Sequence, residues 1–114
     1  MITTNLEPEI FDRLRSYSNL NSNEEVCGFI VEKDGLVDFI PVDNKHPDKK
    51  HFALISPKDY LRIKNEYTIM YYFHSHVSNC DFSETDIVYQ KYHNIDMLLY
   101  DNNRDLFKEM KCKL

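Results

Sequence analysis

The sequence predicts a single α/β domain in which one β-sheet is covered by helices. Three observations favour this class. The chain has 114 residues, a length typical of one domain. Hydrophobic residues make up 42% of the chain and aromatic residues 13%, enough to form a buried core. Segments with helical and strand periodicity alternate, so three helices and about six strands are expected.

The first part of the chain is expected to form a helix and then a hairpin. Apolar residues at helical spacing predict an amphipathic helix over residues 6–18. The apolar run at 26–31 is typical of a buried strand, and a returning strand is expected at 36–42. Between them stands the pair Asp34-Gly35, a frequent two-residue hairpin turn.

The middle of the chain is expected to contain a loop, a short strand and a second helix. Residues 44–50 are charged and include a proline, which is typical of a loop, and 51–55 predict a short strand. A helix start follows. Ser56 is a typical N-cap, Pro57 suits the first turn, and Asp59 is an acid three residues after the cap.

The last part of the chain predicts a central strand, a third helix and a closing strand pair. Residues 68–73 are β-branched and aromatic, as expected of a central strand. Ser83 and Asp86 repeat the capping pattern and predict another helix start. Two strands are then expected at 95–100 and 106–110.

Composition excludes several functional classes. With 14 Lys and Arg against 19 Asp and Glu, the net charge is −5, which argues against a nucleic-acid-binding protein. The longest apolar stretch is too short to cross a membrane. The N-terminus lacks the features of a secretory signal, and the three cysteines have no C-x-x-C spacing. We therefore expect a cytoplasmic protein with free thiols.

Two histidines at the end of the predicted central strand form the most specific pattern. Strand side chains alternate between faces, so His74 and His76 project from the same face and supply half of a zinc site. Asp86 is the candidate third ligand, because the first turn of a helix favours a carboxylate. Two histidines and one aspartate leave the fourth position to water, as in a catalytic zinc site.

A catalytic metal site also needs a proton acceptor, and the sequence offers two. Glu24 and Glu25 both adjoin the strand at 26–31, so either could face the metal. The Ser83 hydroxyl could stabilise an oxyanion. Cys80 is an alternative soft ligand, and two histidines with a carboxylate also bind non-haem iron in oxygenases.

These residues together resemble a known motif. Three short segments carry the likeness: Glu25-Val26-Cys27-Gly28, His74-Ser75-His76 and Ser83-Glu84-Thr85-Asp86. Their order and spacing resemble the JAMM motif of the JAB/MPN metalloprotease family. The resemblance extends from about residue 6 to residue 112, and it is to the compact prokaryotic branch, which includes domains of phage tail assembly proteins.

The resemblance implies a fold and a set of roles. The fold would be a single JAB/MPN domain over residues 1–114, a curved mixed sheet with about three helices, similar to cytidine deaminase. His74, His76 and Asp86 would be the Zn²⁺ ligands. Glu25 would be the general base, because the family's glutamate stands three places before the motif glycine, and Ser83 would lie beside the oxyanion.

The function implied is a zinc-dependent metallopeptidase that hydrolyses peptide or isopeptide bonds with a metal-activated water. The stretch from Ser56 to Tyr60 favours phage tail assembly or cell-wall peptide processing, with a peptide or protein substrate and a separate cell-wall hydrolase or tail protein as partner. Location in the bacterial or host cytoplasm, or in the virion, would follow. The alternatives are trimming of a ubiquitin-like or sulfur-carrier protein and a non-catalytic interaction module.

Overall fold

A five-stranded mixed sheet lies at the centre of the computed structural model, which describes residues 6–77 and 84–111. In chain order the elements of this described part are α1 (Pro8–Leu20), β1 (Cys27–Lys33), β2 (Leu36–Val42), α2 (Pro57–Glu66), β3 (Thr68–His76), α3 (Glu84–His93), β4 (Asp96–Asp101) and β5 (Leu106–Met110). The strand order is β2-β1-β3-β4-β5. β3 and β4 are parallel, and the other neighbouring pairs are antiparallel. The predicted α/β class is confirmed.

Local sequence signals explain most of the element boundaries. Pro8 opens α1, where a proline has no amide to leave unbonded, and the helix therefore starts two residues later than predicted. Asp34 and Gly35 both have positive φ, 53° and 79°, as the predicted hairpin turn requires. At the start of α2 the Ser56 hydroxyl accepts a hydrogen bond from the Asp59 amide at 3.1 Å, so the predicted cap is confirmed.

The predicted short strand at 51–55 is wrong, and five strands are found in the described residues. The backbone polar groups of this segment bond to the Asn44 side chain and to the backbone of Lys45 instead of to a sheet. The Asn44 amide group donates to Phe52 O at 2.8 Å and accepts from Leu54 N at 2.9 Å. Lys45 N also donates to Leu54 O at 2.8 Å. The segment is consequently a loop fastened to residue 44.

The sheet is buried on both faces. Side chains alternate along each strand, so neighbouring residues join different clusters. α1 packs on one face, and the buried cluster there consists of Ile10, Leu14, Val26, Ile30, Phe39, Tyr71, Phe73, Leu98 and Tyr100. α2 packs on the other face, and the buried cluster there consists of Cys27, Phe29, Val31, Val42, Ile55, Ile63, Tyr72, Ile95 and Met97. Burying a side chain such as Leu14 contributes about 2 kcal/mol.

Gly28 allows the first two strands and the core to come close together. A Cβ atom at this position would lie 2.6 Å from a ring carbon of Phe39 and 2.5 Å from the carbonyl oxygen of Ile40. The Phe39 ring therefore occupies the space that any larger residue would need.

No helix of the described residues is long and apolar enough to cross a bilayer.

We expect Gly28→Ala to lower the free energy of unfolding by about 2–3 kcal/mol, because overpacking forces the backbone of β2 or the Phe39 ring to move. Denaturant titration measures this loss. Gly35→Ala is the control: its Cβ meets nothing within 4 Å, so only the positive φ is penalised, at about 1 kcal/mol. Equal losses in the two variants would contradict the steric explanation.

Candidate metal centre

His74 and His76 lie side by side at the C-terminal end of β3. Both are buried, and strand alternation directs both rings to the α2 side of the sheet. Their Nε2 atoms are 3.0 Å apart, and their ring centroids are separated by 4.8 Å. Tyr72, two residues earlier on the same face, stacks on the His74 ring at 5.2 Å and an interplanar angle of 11°. The central strand and this stacking fix the orientation of the imidazoles.

Asp86 reaches both histidines from the first turn of α3. One carboxylate oxygen lies 3.1 Å from His74 Nε2, and the other lies 3.3 Å from His76 Nε2. The side chain is only 12% exposed. The positive end of the α3 dipole stabilises the carboxylate there. The three side chains expected from the sequence to meet thus converge on one point.

Glu25 faces the same point because of the register between β1 and β3. Cys27 is opposite His74 in the antiparallel pair, so two residues earlier Glu25 is opposite His76 and on the same face. Glu25 is 6% exposed, and its carboxylate lies within 4.8 Å of the ligand nitrogens of the two histidines. Of the two candidate bases, Glu25 is the buried one beside the histidines, whereas Glu24 is exposed.

The donor atoms of His74, His76 and Asp86 have the spacing of a zinc ligand set. Bonds of about 2.0–2.1 Å in a tetrahedral shell place neighbouring ligand atoms about 3.3 Å apart. The three separations found are 3.0, 3.1 and 3.3 Å. Two neutral imidazoles and a carboxylate are also the ligand types that zinc prefers. The residues present therefore fit the metal that the sequence predicts.

Hydrogen bonding accounts less well for the same triangle. An ionised Asp86 accepts from both rings only if His74 and His76 each carry the proton on Nε2. The two Nε2 atoms, 3.0 Å apart, would then both be donors, and neither could accept a hydrogen bond from the other. If either nitrogen loses its proton, one bond to the carboxylate is lost. A cation accepts a lone pair from each of the three groups and removes the conflict.

Two carboxylates compete for the third ligand position. Asp86 places one oxygen against each imidazole at 3.1 and 3.3 Å. Glu25 belongs with the two histidines to a group whose ligand atoms all lie within 4.8 Å of one another. Asp86 contacts both imidazoles, as the third ligand of the expected motif would, and Glu25 then lies beside the open position.

Burial determines the electrostatics of the site. It raises the pKa of Glu25 to about 8; the charge of His76 lowers the pKa, and those of Asp86 and Asp48 raise it further. Burial also lowers the pKa of His74, against the opposing effect of its bond to Asp86. His74 is therefore neutral at physiological pH, which is the state in which imidazole binds metal.

Ser75, between the two histidines, has a role that the sequence did not suggest. Its side chain points to the opposite face, where the hydroxyl accepts from Val26 N at 3.0 Å, and its own amide donates to Val26 O at 2.9 Å. The residue next to Glu25 is thereby fastened to the strand of the histidines. A small hydroxyl side chain between two histidines was the only sequence signal of this role.

Ser83 and Cys80 lie outside the described residues, so their roles remain predictions.

Comparison with known proteins gives no match that bears on this site. The chain matches no protein-family model, and no curated protein shows a significant sequence match to it. The functional interpretation therefore depends on the geometry of the site and on the motif spacing.

We expect the metal-free protein to bind one Zn²⁺ per chain, and Asp86→Asn to weaken binding at least about 100-fold. Loss of residues that only orient a ligand already costs about 10–100-fold, and loss of a ligand costs more. Calorimetric titration measures the affinity. Glu25→Gln and the exposed Glu24→Gln should bind within tenfold of the wild type. If Glu25→Gln bound zinc much more weakly and Asp86→Asn bound it normally, Glu25 would be the third ligand instead of Asp86.

We also expect the stability of the metal-free protein, measured relative to Glu25→Gln, to fall between pH 5 and pH 9. Folding raises the pKa of Glu25 from its ordinary value of 4.5 to about 8. The folded chain then keeps a proton that the unfolded chain has lost, so this stabilising contribution is complete at low pH and is lost as pH rises through about 8. Urea titrations of both proteins give the difference, in which the titration of His74 cancels. A difference independent of pH would contradict the raised pKa.

Proposed function

We propose that the protein is a zinc-dependent peptidase of the JAMM type, with a JAB/MPN fold. The observation that carries the proposal is the arrangement of four buried or nearly buried side chains at one point. His74, His76 and Asp86 form a triangle of metal-ligand size, and the carboxylate of Glu25 lies on the same face. A mixed sheet with helices packed on its faces is also what the resemblance implies.

Each side chain has a distinct task in this proposal. A bound zinc ion supplies a Lewis acid that polarises a carbonyl and brings the pKa of water to about 7. His74 and His76 would hold the ion without adding charge, and Asp86 would add one negative charge, so these ligands would leave a net positive charge for a carbonyl oxygen. Ser83, if it follows the motif, would donate a hydrogen bond to that oxygen.

Glu25 is the proton carrier. Its carboxylate accepts a proton from the attacking water while the hydroxyl oxygen bonds to the carbonyl carbon. The same group then returns the proton to the amine nitrogen as the carbon–nitrogen bond breaks. Burial raises its pKa to about 8, and a nearby cation lowers it again toward neutrality. A carboxyl group whose pKa is raised in this way can both accept and donate a proton near neutral pH.

The surface beside Glu25 is polar. A cleft of about 610 Å³ borders Glu25 and is lined by residues 43–47 and by Lys49; His74, His76 and Asp86 are not among its described lining residues. Peptide and isopeptide bonds of cell-wall or phage tail components are the substrates we propose. Trimming of a ubiquitin-like or sulfur-carrier protein uses the same chemistry.

We expect Glu25→Gln to lower kcat for peptide hydrolysis by about 10²–10⁴ while the protein still binds zinc, because removal of a general base costs about that factor. Cleavage of isopeptide-linked and cell-wall peptides by the zinc-loaded protein, followed by mass spectrometry, measures the effect. Glu24→Gln is the matched control: the same substitution at the adjacent, exposed carboxylate should leave kcat unchanged.

Unchanged turnover in Glu25→Gln would remove the assigned base. Zinc binding by the wild type without cleavage of any peptide would favour a non-catalytic interaction module. Higher affinity for Fe²⁺ with oxygen consumption would identify the same ligands as an oxygenase site.

A further inference from the structure

Asn44 lies two residues after the end of β2. Every donor and acceptor of its side-chain amide forms a hydrogen bond. Its Nδ2 donates to Glu25 O at 2.9 Å and to Phe52 O at 2.8 Å. Its Oδ1 accepts from His46 N at 3.0 Å and from Leu54 N at 2.9 Å. An amide side chain has two donors and two acceptor lone pairs, and all four are satisfied here. One residue therefore joins both ends of the loop to the backbone of Glu25.

The backbone of Glu25 depends on this loop on both sides. Its carbonyl accepts from Asn44, and its amide donates to Lys49 O at 2.6 Å. Glu25 precedes β1 and so lacks the strand pairing that begins at Cys27. The next residue, Val26, is bonded to Ser75. The position of the carboxylate is thus set by the histidine strand on one side and by the loop on the other.

Packing contributes little to the position of the loop. Most residues from 43 to 52 are exposed, and Phe52 and Leu54 are 40% and 45% exposed. No apolar side chain is buried between residues 43 and 52, so polar contacts fix the position of this part of the loop, whereas Ile55 at its end is buried on the α2 face. Asn44 provides four of these contacts at one point.

We propose that Asn44 is the positioning residue for Glu25, so that its amide sets the distance between the proton carrier and the metal centre. The inference rests on the proposed function. No other side chain of this size offers two donors and two acceptors: aspartate keeps the acceptors but opposes two carbonyl oxygens, and alanine loses all four bonds. A displacement of about 1 Å at a reacting group lowers the rate about 100-fold.

The test compares Asn44→Asp and Asn44→Ala with Ser56→Ala. The control removes the cap of α2, which touches neither Glu25 nor the histidines, and should lower Tm by about 4 °C. We expect the Asn44 variants to bind one zinc with unchanged affinity and to lose about 100-fold in kcat with little change in KM. Ser56→Ala should keep its kcat. An Asn44 variant with the kcat of the wild type, or equal losses in Ser56→Ala, would overturn the proposal.

A second measurement uses the metal-free wild type and requires neither activity nor a stable variant. Backbone amide exchange followed by NMR should be at least about 100-fold slower than in an unstructured peptide at His46 and Leu54, whose amides donate to Asn44 Oδ1, although neither residue lies in a helix or strand. Unprotected amides at these positions would overturn the role of Asn44. Absence of turnover in the zinc-loaded wild type with protected amides would instead contradict the proposed function.

Discussion

The antiparallel pairing of β1 with β3 is the constraint on which the site depends. The register that sets Cys27 opposite His74 also brings Glu25 opposite His76, on the face that carries both imidazoles. A shift of one residue would turn every side chain of the strand to the other face and would exchange Glu25 for Glu24. The two bonds between Ser75 and Val26 lie at the end of this pairing and resist such a shift. Gly28, the residue after Cys27, is small enough to let β2 and the Phe39 ring pack closely against β1.

A parallel crossover supplies the remaining carboxylate. β3 and β4 are parallel neighbours, so the chain must return along the sheet, and α3 is the helix of that return. The helix begins near the C-terminal end of β3, where the histidines lie. Asp86 in its first turn therefore meets them, although nine residues lie between it and His76. Binding sites in sheets with parallel strands often occupy this edge, because strand ends and helix N-termini meet there.

Much of this could be predicted from the sequence, because the determinants are local. Alternation along a strand placed His74 and His76 together, and the capping pattern placed Asp86 in a first turn. The choice between Glu24 and Glu25 could not be made by periodicity, because it depends on the register with a strand almost fifty residues away. The predicted strand at 51–55 was wrong for a related reason: the side chain of Asn44 satisfies backbone groups that a sheet would otherwise bind. Side-chain bonds between distant segments leave no periodic signal.

The hairpin turn of Asp34 and Gly35 is at the opposite end of β1 from Glu25. The whole of β1, seven residues of extended chain about 23 Å long, lies between the two. The Gly35 position is open, with nothing within 4 Å of where a side chain would start. A fluorophore, an affinity handle or a surface tether attached beside this turn, rather than at Gly35 with its positive φ, would stand clear of the histidines, which makes this end of the molecule suitable for immobilising the protein.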